Sequence, residues 1–169
     1  MVAQALAAVS LGLLAASGVA KLVDPAPTTG AMQSAGLPAS RPITHVLGLF
    51  EVVIAGAALA IGGPYLLVAA LSYVAFGVFT FGALRRRIPI QSCGCFGRDD
   101  TPPSVVHVAY NVVAAVAIAA TAGLGVTPVD WSMATLELVL YLGFTALGTV
   151  ASYLLLTRLP QLLAVGRAT

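Results

Sequence analysis

Two cysteines, Cys93 and Cys95, stand two residues apart in the run Gln91-Ser92-Cys93-Gly94-Cys95-Phe96-Gly97, and the chain has no others. A disulfide at this spacing needs a backbone turn that brings the Cα atoms within about 7 Å. Gly94, lacking a Cβ, makes that turn cheap. So small a ring gains little loop entropy and carries strain, and strained, exposed disulfides are the ones that exchange readily. Arg85, Arg86, Arg87 and Arg98 flank the run, and neighbouring cations favour the thiolate, which is the nucleophile. Three readings compete: thiol-disulfide exchange, ligation of a soft metal such as copper(I) by two thiolates, and two ordinary cysteines in a turn. The Cys-x2-Cys spacing common in metal sites and a second ligand pair are both missing, so exchange leads. One pair cannot relay electrons between two dithiols of its own. It must exchange with an external thiol partner, reduce a bound quinone, or move between compartments. Nothing in the spacing ranks Cys93 above Cys95 as the attacking thiolate.

The other candidates are polar residues inside apolar segments, which are costly there and face the bundle interior by default. Glu51 is the clearest, protonated or paired with Lys21 if the first two long helices pack together; its plainer role is a structural hydrogen bond between helices. Lys21 and Asp24 stand at a helix end, where a snorkelling lysine and a terminating Asp-Pro are common. His107 and Asn111 are four apart and share one helix face just beyond the cysteine loop. A histidine there can shuttle a proton or touch a quinone carbonyl, although a satisfied interfacial histidine is the commoner case. His45 is a weaker candidate of the same kind.

These residues must be positioned by apolar helices. Apolar residues make up 59% of the 169 and charged residues 8%, against about 25% charged in soluble domains. Too few charges remain to build a water-facing surface, so the bilayer is the natural solvent. Five runs are long enough to cross a hydrocarbon core of about 30 Å: Val2 to Val23, Ile43 to Ile61, Tyr65 to Leu84, Val105 to Leu124 and Ala134 to Leu156. Small residues at Ala8, Gly12, Ala16 and Ala20 give the first a face for close helix contact, as Gly48 and Gly56 do the second. Asp24 to Pro42 is a loop with a brief interfacial turn over Ala31 to Ala35. Gly62-Gly63-Pro64 forces a tight antiparallel hairpin. The cysteine loop spans 88–104. Asp130 and Glu137 are solvated boundary residues, and Tyr65 and Trp131 suit an aromatic belt.

With five spans, all eight Lys and Arg fall on one side: Lys21, Arg41, Arg85, Arg86, Arg87, Arg98, Arg158 and Arg167. The positive-inside rule makes that side cytoplasmic, with the N-terminus outside and both the C-terminus and the cysteine loop inside. A cleaved signal peptide at the first run fits poorly, because it lacks a basic n-region and is long for an h-region. The net charge of +2, with no basic face interleaved with aromatics, argues against nucleic acid as a partner. Ser-His-Asp, phosphate-loop and zinc-protease motifs are absent.

Three features coincide: Ser17-Gly18-Val19-Ala20-Lys21-Leu22-Val23-Asp24-Pro25, Glu51 in the next span, and Cys93-Gly94-Cys95-Phe96-Gly97. Together they resemble the MauE family of the DoxX-like membrane proteins over residues 1–124. That resemblance implies an all-α polytopic membrane protein whose four-helix bundle is associated with thiol redox. It also implies thioredoxin-like or exported thiol proteins as partners, and, from DoxX relatives, quinone-linked oxidation. MauE itself is linked to forming or delivering disulfides for a periplasmic dehydrogenase subunit in methylamine utilisation. Two features depart from the pattern: a fifth helix within 125–169, at 134–156, and Tyr110-Asn111 where relatives often carry Arg-Asn. Disulfide delivery outside suggests an outward-facing motif. The charge rule places it inside, which fits a conduit drawing electrons from a cytoplasmic thioredoxin. A non-enzymatic assembly or scaffold subunit, packed through its small-residue faces, is the alternative from another class.

Overall fold

A computed structural model describes residues 1–88, 90, 95–96 and 101–165, with side chains through 159. Among them are six helices and no strands: α1 Val2–Val23, α2 Ala26–Ser34, α3 Arg41–Ala60, α4 Pro64–Arg85, α5 Val105–Gly123 and α6 Thr135–Val165. All but α2 are long and apolar enough to cross a membrane. The protein is an all-α polytopic membrane protein: a bundle of α1, α3, α4 and α5, plus α6. The pairs α1–α3 and α4–α5 pack most extensively. Contacts of α3 with α4 and of α1 with α5 close the ring, and α6 lies against the outside of α1.

The core explains the closeness of these pairs. Lipid is as apolar as leucine, so helices associate through close packing rather than through expulsion of water. Buried alanines accordingly recur on all four bundle helices: Ala7 and Ala8, Ala55 and Ala58, Ala69 and Ala70, Ala114 and Ala117. Backbone meets backbone where α1 crosses α3 at Gly18 and Gly48. A Cβ on Gly18 would lie 2.6 Å from the Gly48 carbonyl oxygen, and one on Gly48 would lie 2.8 Å from that of Gly18. The expected Ala8-Gly12-Ala16-Ala20 face serves in part: Ala8 is fully buried and Gly12 closely meets Thr149 of α6, whereas Ala16 is exposed. Gly56 meets nothing.

The hairpin between α3 and α4 turns at Gly62 and Gly63, both at positive φ (72° and 55°), a region open to glycine at no steric cost. The turn expected over Ala31–Ala35 is instead nine residues of helix, α2. Prolines at its first turn are compatible with helix, because the N–H groups they lack have no helical acceptor there. The Thr29 hydroxyl donates to the Pro25 carbonyl and pairs with the Thr44 hydroxyl of α3 at 2.8 Å. Tertiary contact thus holds a segment whose Pro, Thr and Gly content reads as loop. The last helix also runs past the expected end at Leu156, through position 160 to Val165. From Thr135 to Leu155 it buries no residue.

Candidate functional site

Lys21 is placed one turn beyond Gly18 on α1, and the close α1–α3 crossing carries it into the bundle. The expectation of a snorkelling lysine at a helix end is corrected here, for Lys21 is 3% exposed. Its ammonium lies 2.9 Å from Glu51 Oε2, and Glu51 is fully buried. A lone ion would cost several kcal/mol to hold in such a place, so each requires the other. Lys21 Nζ also donates to the Ser17 hydroxyl at 2.6 Å and stands 5.7 Å from the centre of the Phe76 ring on α4, within the range of a cation–π contact. The second carboxylate oxygen, Glu51 Oε1, is buried with no hydrogen-bond partner among the described residues.

Ser17 carries this pair to the cysteine loop. Its hydroxyl donates to the backbone carbonyl of Cys95 at 2.9 Å. A continuous chain of polar contacts therefore runs from Glu51 through Lys21 and Ser17 to Cys95. Cys93 lies outside the described residues. On its other flank the loop is held by α6. Phe96 packs edge-on against Tyr153 at 5.3 Å between ring centres, and the Thr101 hydroxyl donates to the Leu156 carbonyl at 3.1 Å.

Cys95 borders two cavities. One, of about 240 Å³, lies between α2, α3 and α4, with Lys21, Phe76 and Phe79 among its walls. The other, of about 30 Å³, is roughly water-sized and is walled by Ser17, Tyr73, His107, Tyr110 and Asn111. His107 is buried; its Nδ1 and the Ser104 hydroxyl are 2.8 Å apart, and its carbonyl accepts from Asn111 Nδ2 at 2.8 Å. The interfacial histidine expected there is thus a buried one. Asp24 sits in the turn between α1 and α2, where its carboxylate accepts from the Ala26 N–H at 3.2 Å. His45 is exposed on α3. The structure so brings Lys21, His107 and Asn111 to the cavities that Cys95 borders, with Glu51 behind Lys21, and leaves His45 outside.

Sequence reasoning missed Ser17, Phe76 and Tyr153. A signal existed for Ser17, which lies four residues before Lys21 and hence on the same helix face. None existed for Phe76 or Tyr153, which are apolar-run aromatics brought in by packing alone.

No curated protein and no solved structure matches the chain. The family model of the methylamine utilisation protein MauE matches residues 1–127, a stretch that takes in α1 to α5, the cysteine loop, Ser17, Lys21 and Glu51 and stops short of α6. With three quarters of its length so matched, the chain belongs to the MauE family.

Proposed function

We propose that this protein is a membrane thiol-disulfide redox protein that exchanges electrons with a thioredoxin-like or exported thiol protein through Cys93 and Cys95. The observation that carries the reading is the buried chain from Glu51 through Lys21 and Ser17 to the Cys95 carbonyl.

Each residue has a task in that chemistry. Lys21 and Cys95 border the same cavity. Exchange releases or takes up thiol protons. Glu51, with Oε1 unpartnered among the described residues, and His107, beside Cys95 at the smaller cavity, are the groups able to accept and return them. Asn111 orients the His107 turn through its hydrogen bond. Asp24 fixes the turn that presents Lys21. The bias of the eight basic residues supports a loop on the cytoplasmic side, where a cytoplasmic thiol partner would be the nearer one.

The test is turnover of a thioredoxin-like dithiol by the full chain in lipid vesicles. Cys93→Ser and Cys95→Ser should each abolish turnover. Wild-type rates in either variant would sink the proposal.

A further inference from the structure

The seam between α4 and α5 carries two cavities in series. The deeper one is an open trough of about 350 Å³ on the outside of the bundle. Val74, Gly77, Val78 and Phe81 form its α4 wall, at a spacing that keeps them on one helix face. Val108, Val112 and Val116 face them from α5. Gly77 has no side chain to fill the floor, and a Cβ there would stand 3.4 Å from that of Asn111. Val74, Val78, Phe81, Val112 and Val116 are exposed, so the trough opens to hydrocarbon.

The α4 face continues from Phe81 to Leu84, three residues on, and there the second cavity opens, at about 270 Å³. Its walls are apolar, with Leu84 and Ile88 on one side and Pro102 and Pro103 on the other, and Arg87 is the charged group among the described residues that line it. Arg87 stands at φ 51° just past the end of α4, a position where glycine is usual because a Cβ is strained there. Two backbone bonds hold the turn: the Arg87 N–H donates to the Leu84 carbonyl and the Ile88 N–H to the Ala83 carbonyl. Arg85, Arg86 and Arg87 are all exposed. Among the described residues the one ion pair is Lys21 with Glu51, so none of the three is neutralised by an acidic neighbour there.

An apolar trough that ends in a cationic pocket at the edge of the span has the shape of an amphiphile. A guanidinium offers a planar fork of donors that matches phosphate bidentately. Free phosphate has no use for the apolar walls, whereas a phospholipid uses both cavities. A lipid with a cationic head group would bring its own positive charge to the arginines; an anionic one does not. A second copy of the chain in the same orientation would set its own three arginines at the same level, and like charges oppose that.

We propose that the α4–α5 seam binds an anionic phospholipid, its phosphate on Arg87 with Arg85 and Arg86 beside it and one acyl chain in the trough. This site does not depend on the thiol-exchange reading. It does bear on the cysteine loop, because the pocket is built from both ends of that loop: Ile88 and Ile90 at its start, Pro102 and Pro103 at its finish. A head group seated there pins the two ends together, and the anionic lipid content of the membrane sets how freely the loop moves.

The experiment offers phosphatidylglycerol, phosphatidylcholine or inorganic phosphate to the full chain in detergent and reads retained adducts by native mass spectrometry. One phosphatidylglycerol per chain is expected, held at least about tenfold more tightly than phosphatidylcholine and not displaced by millimolar phosphate. Arg87→Gly should weaken it by at least about tenfold, while Arg158→Gln, which removes the same charge from exposed α6 surface, should not. Glycine suits the positive φ better than arginine, so Arg87→Gly should melt no lower than wild type, and its loss of lipid cannot be laid to misfolding. Val112→Trp, which fills the trough without touching a charge, should weaken binding as well. Equal affinity for the two lipids overturns the site and would assign the arginines to Asp99 and Asp100, the nearest acidic residues in sequence. Displacement by phosphate, equal losses in Arg87→Gly and Arg158→Gln, or a second chain retained in place of lipid also overturns it. Phosphatidylglycerol should slow maleimide labelling of the reduced loop severalfold in the wild type and not in Arg87→Gly. Specific binding without that difference overturns the pinning while upholding the site.

Discussion

The hydroxyl of Ser17 donates to the backbone carbonyl of Cys95, 78 residues away, at 2.9 Å, while accepting from Lys21 Nζ at 2.6 Å. One serine thus fastens the cysteine loop to the buried ion pair. Ser17→Ala should release it and leave a carbonyl and an ammonium each short of a partner, at a cost of about 1–3 kcal/mol. Maleimide labelling of the loop should then be roughly tenfold faster, the rate equivalent of ~1.4 kcal/mol. Ser17→Thr, which keeps the hydroxyl, should label like wild type. Equal rates for all three would mean that the loop is held by other contacts.

Lys21 and Glu51 should behave as a unit. Removing one member strands the other charge inside the bundle, a loss of about 3–5 kcal/mol in soluble proteins. Lys21→Met and Glu51→Gln should each lower the melting temperature in detergent markedly, and the double variant should recover much of the loss. The coupling read from this cycle should be large, because contacting residues in one network are not additive. Additive losses would show that the 2.9 Å contact contributes nothing specific.

Much of this was legible in the sequence, for identifiable reasons. The spans were readable because length and hydropathy are local properties; α4, expected over Tyr65 to Leu84, runs Pro64–Arg85. The Lys21–Glu51 pairing was readable as a conditional, since two opposite charges in neighbouring apolar helices need each other. Its depth was not, because Lys21 is drawn inward by the Gly18–Gly48 crossing, a contact 30 residues apart in sequence. The α2 helix was hidden by two prolines and a glycine, and it is held by tertiary contacts, Thr29 to Thr44 and Ala31 to Ala83 and Ile90. The aromatic pair Phe96–Tyr153 joins residues of a loop and a distant helix, and no periodicity announces it.

The Gly18–Gly48 crossing predicts a sharp contrast between glycines. Gly18→Ala places a methyl group 2.6 Å from a backbone oxygen, which no rotamer change relieves. Overpacking of this kind costs about 1–3 kcal/mol, and separating α1 from α3 should also break the Lys21–Glu51 contact. Gly56→Ala meets nothing within 4 Å and should be neutral or stabilising by up to ~1 kcal/mol, through helix propensity. Thermal melts of the two variants check this directly.

Tyr153 clamps the loop from α6, beyond the 1–127 stretch that the family model matches. Tyr153→Ala removes an edge-on aromatic contact worth about 0.5–1.5 kcal/mol beyond area burial. It should speed loop labelling a few-fold without lowering the melting temperature of the α1–α5 bundle. Tyr153→Phe should be silent, since the ring is what packs on Phe96. Equal effects of the two would assign the role to the hydroxyl.

With two cysteines in the whole chain, any thiol label reports the loop, so its sidedness can be read in intact cells. With all eight Lys and Arg expected on the side that holds it, the usual charge bias predicts a cytoplasmic loop. A membrane-impermeant maleimide, with and without prior reduction, should therefore label nothing until the cells are permeabilised. That result would suit a cytoplasmic dithiol as the electron source. Labelling of intact cells after reduction alone would instead reveal an outward disulfide. The charge asymmetry would then reflect something other than orientation, and oxidation of exported proteins would become the physiological direction.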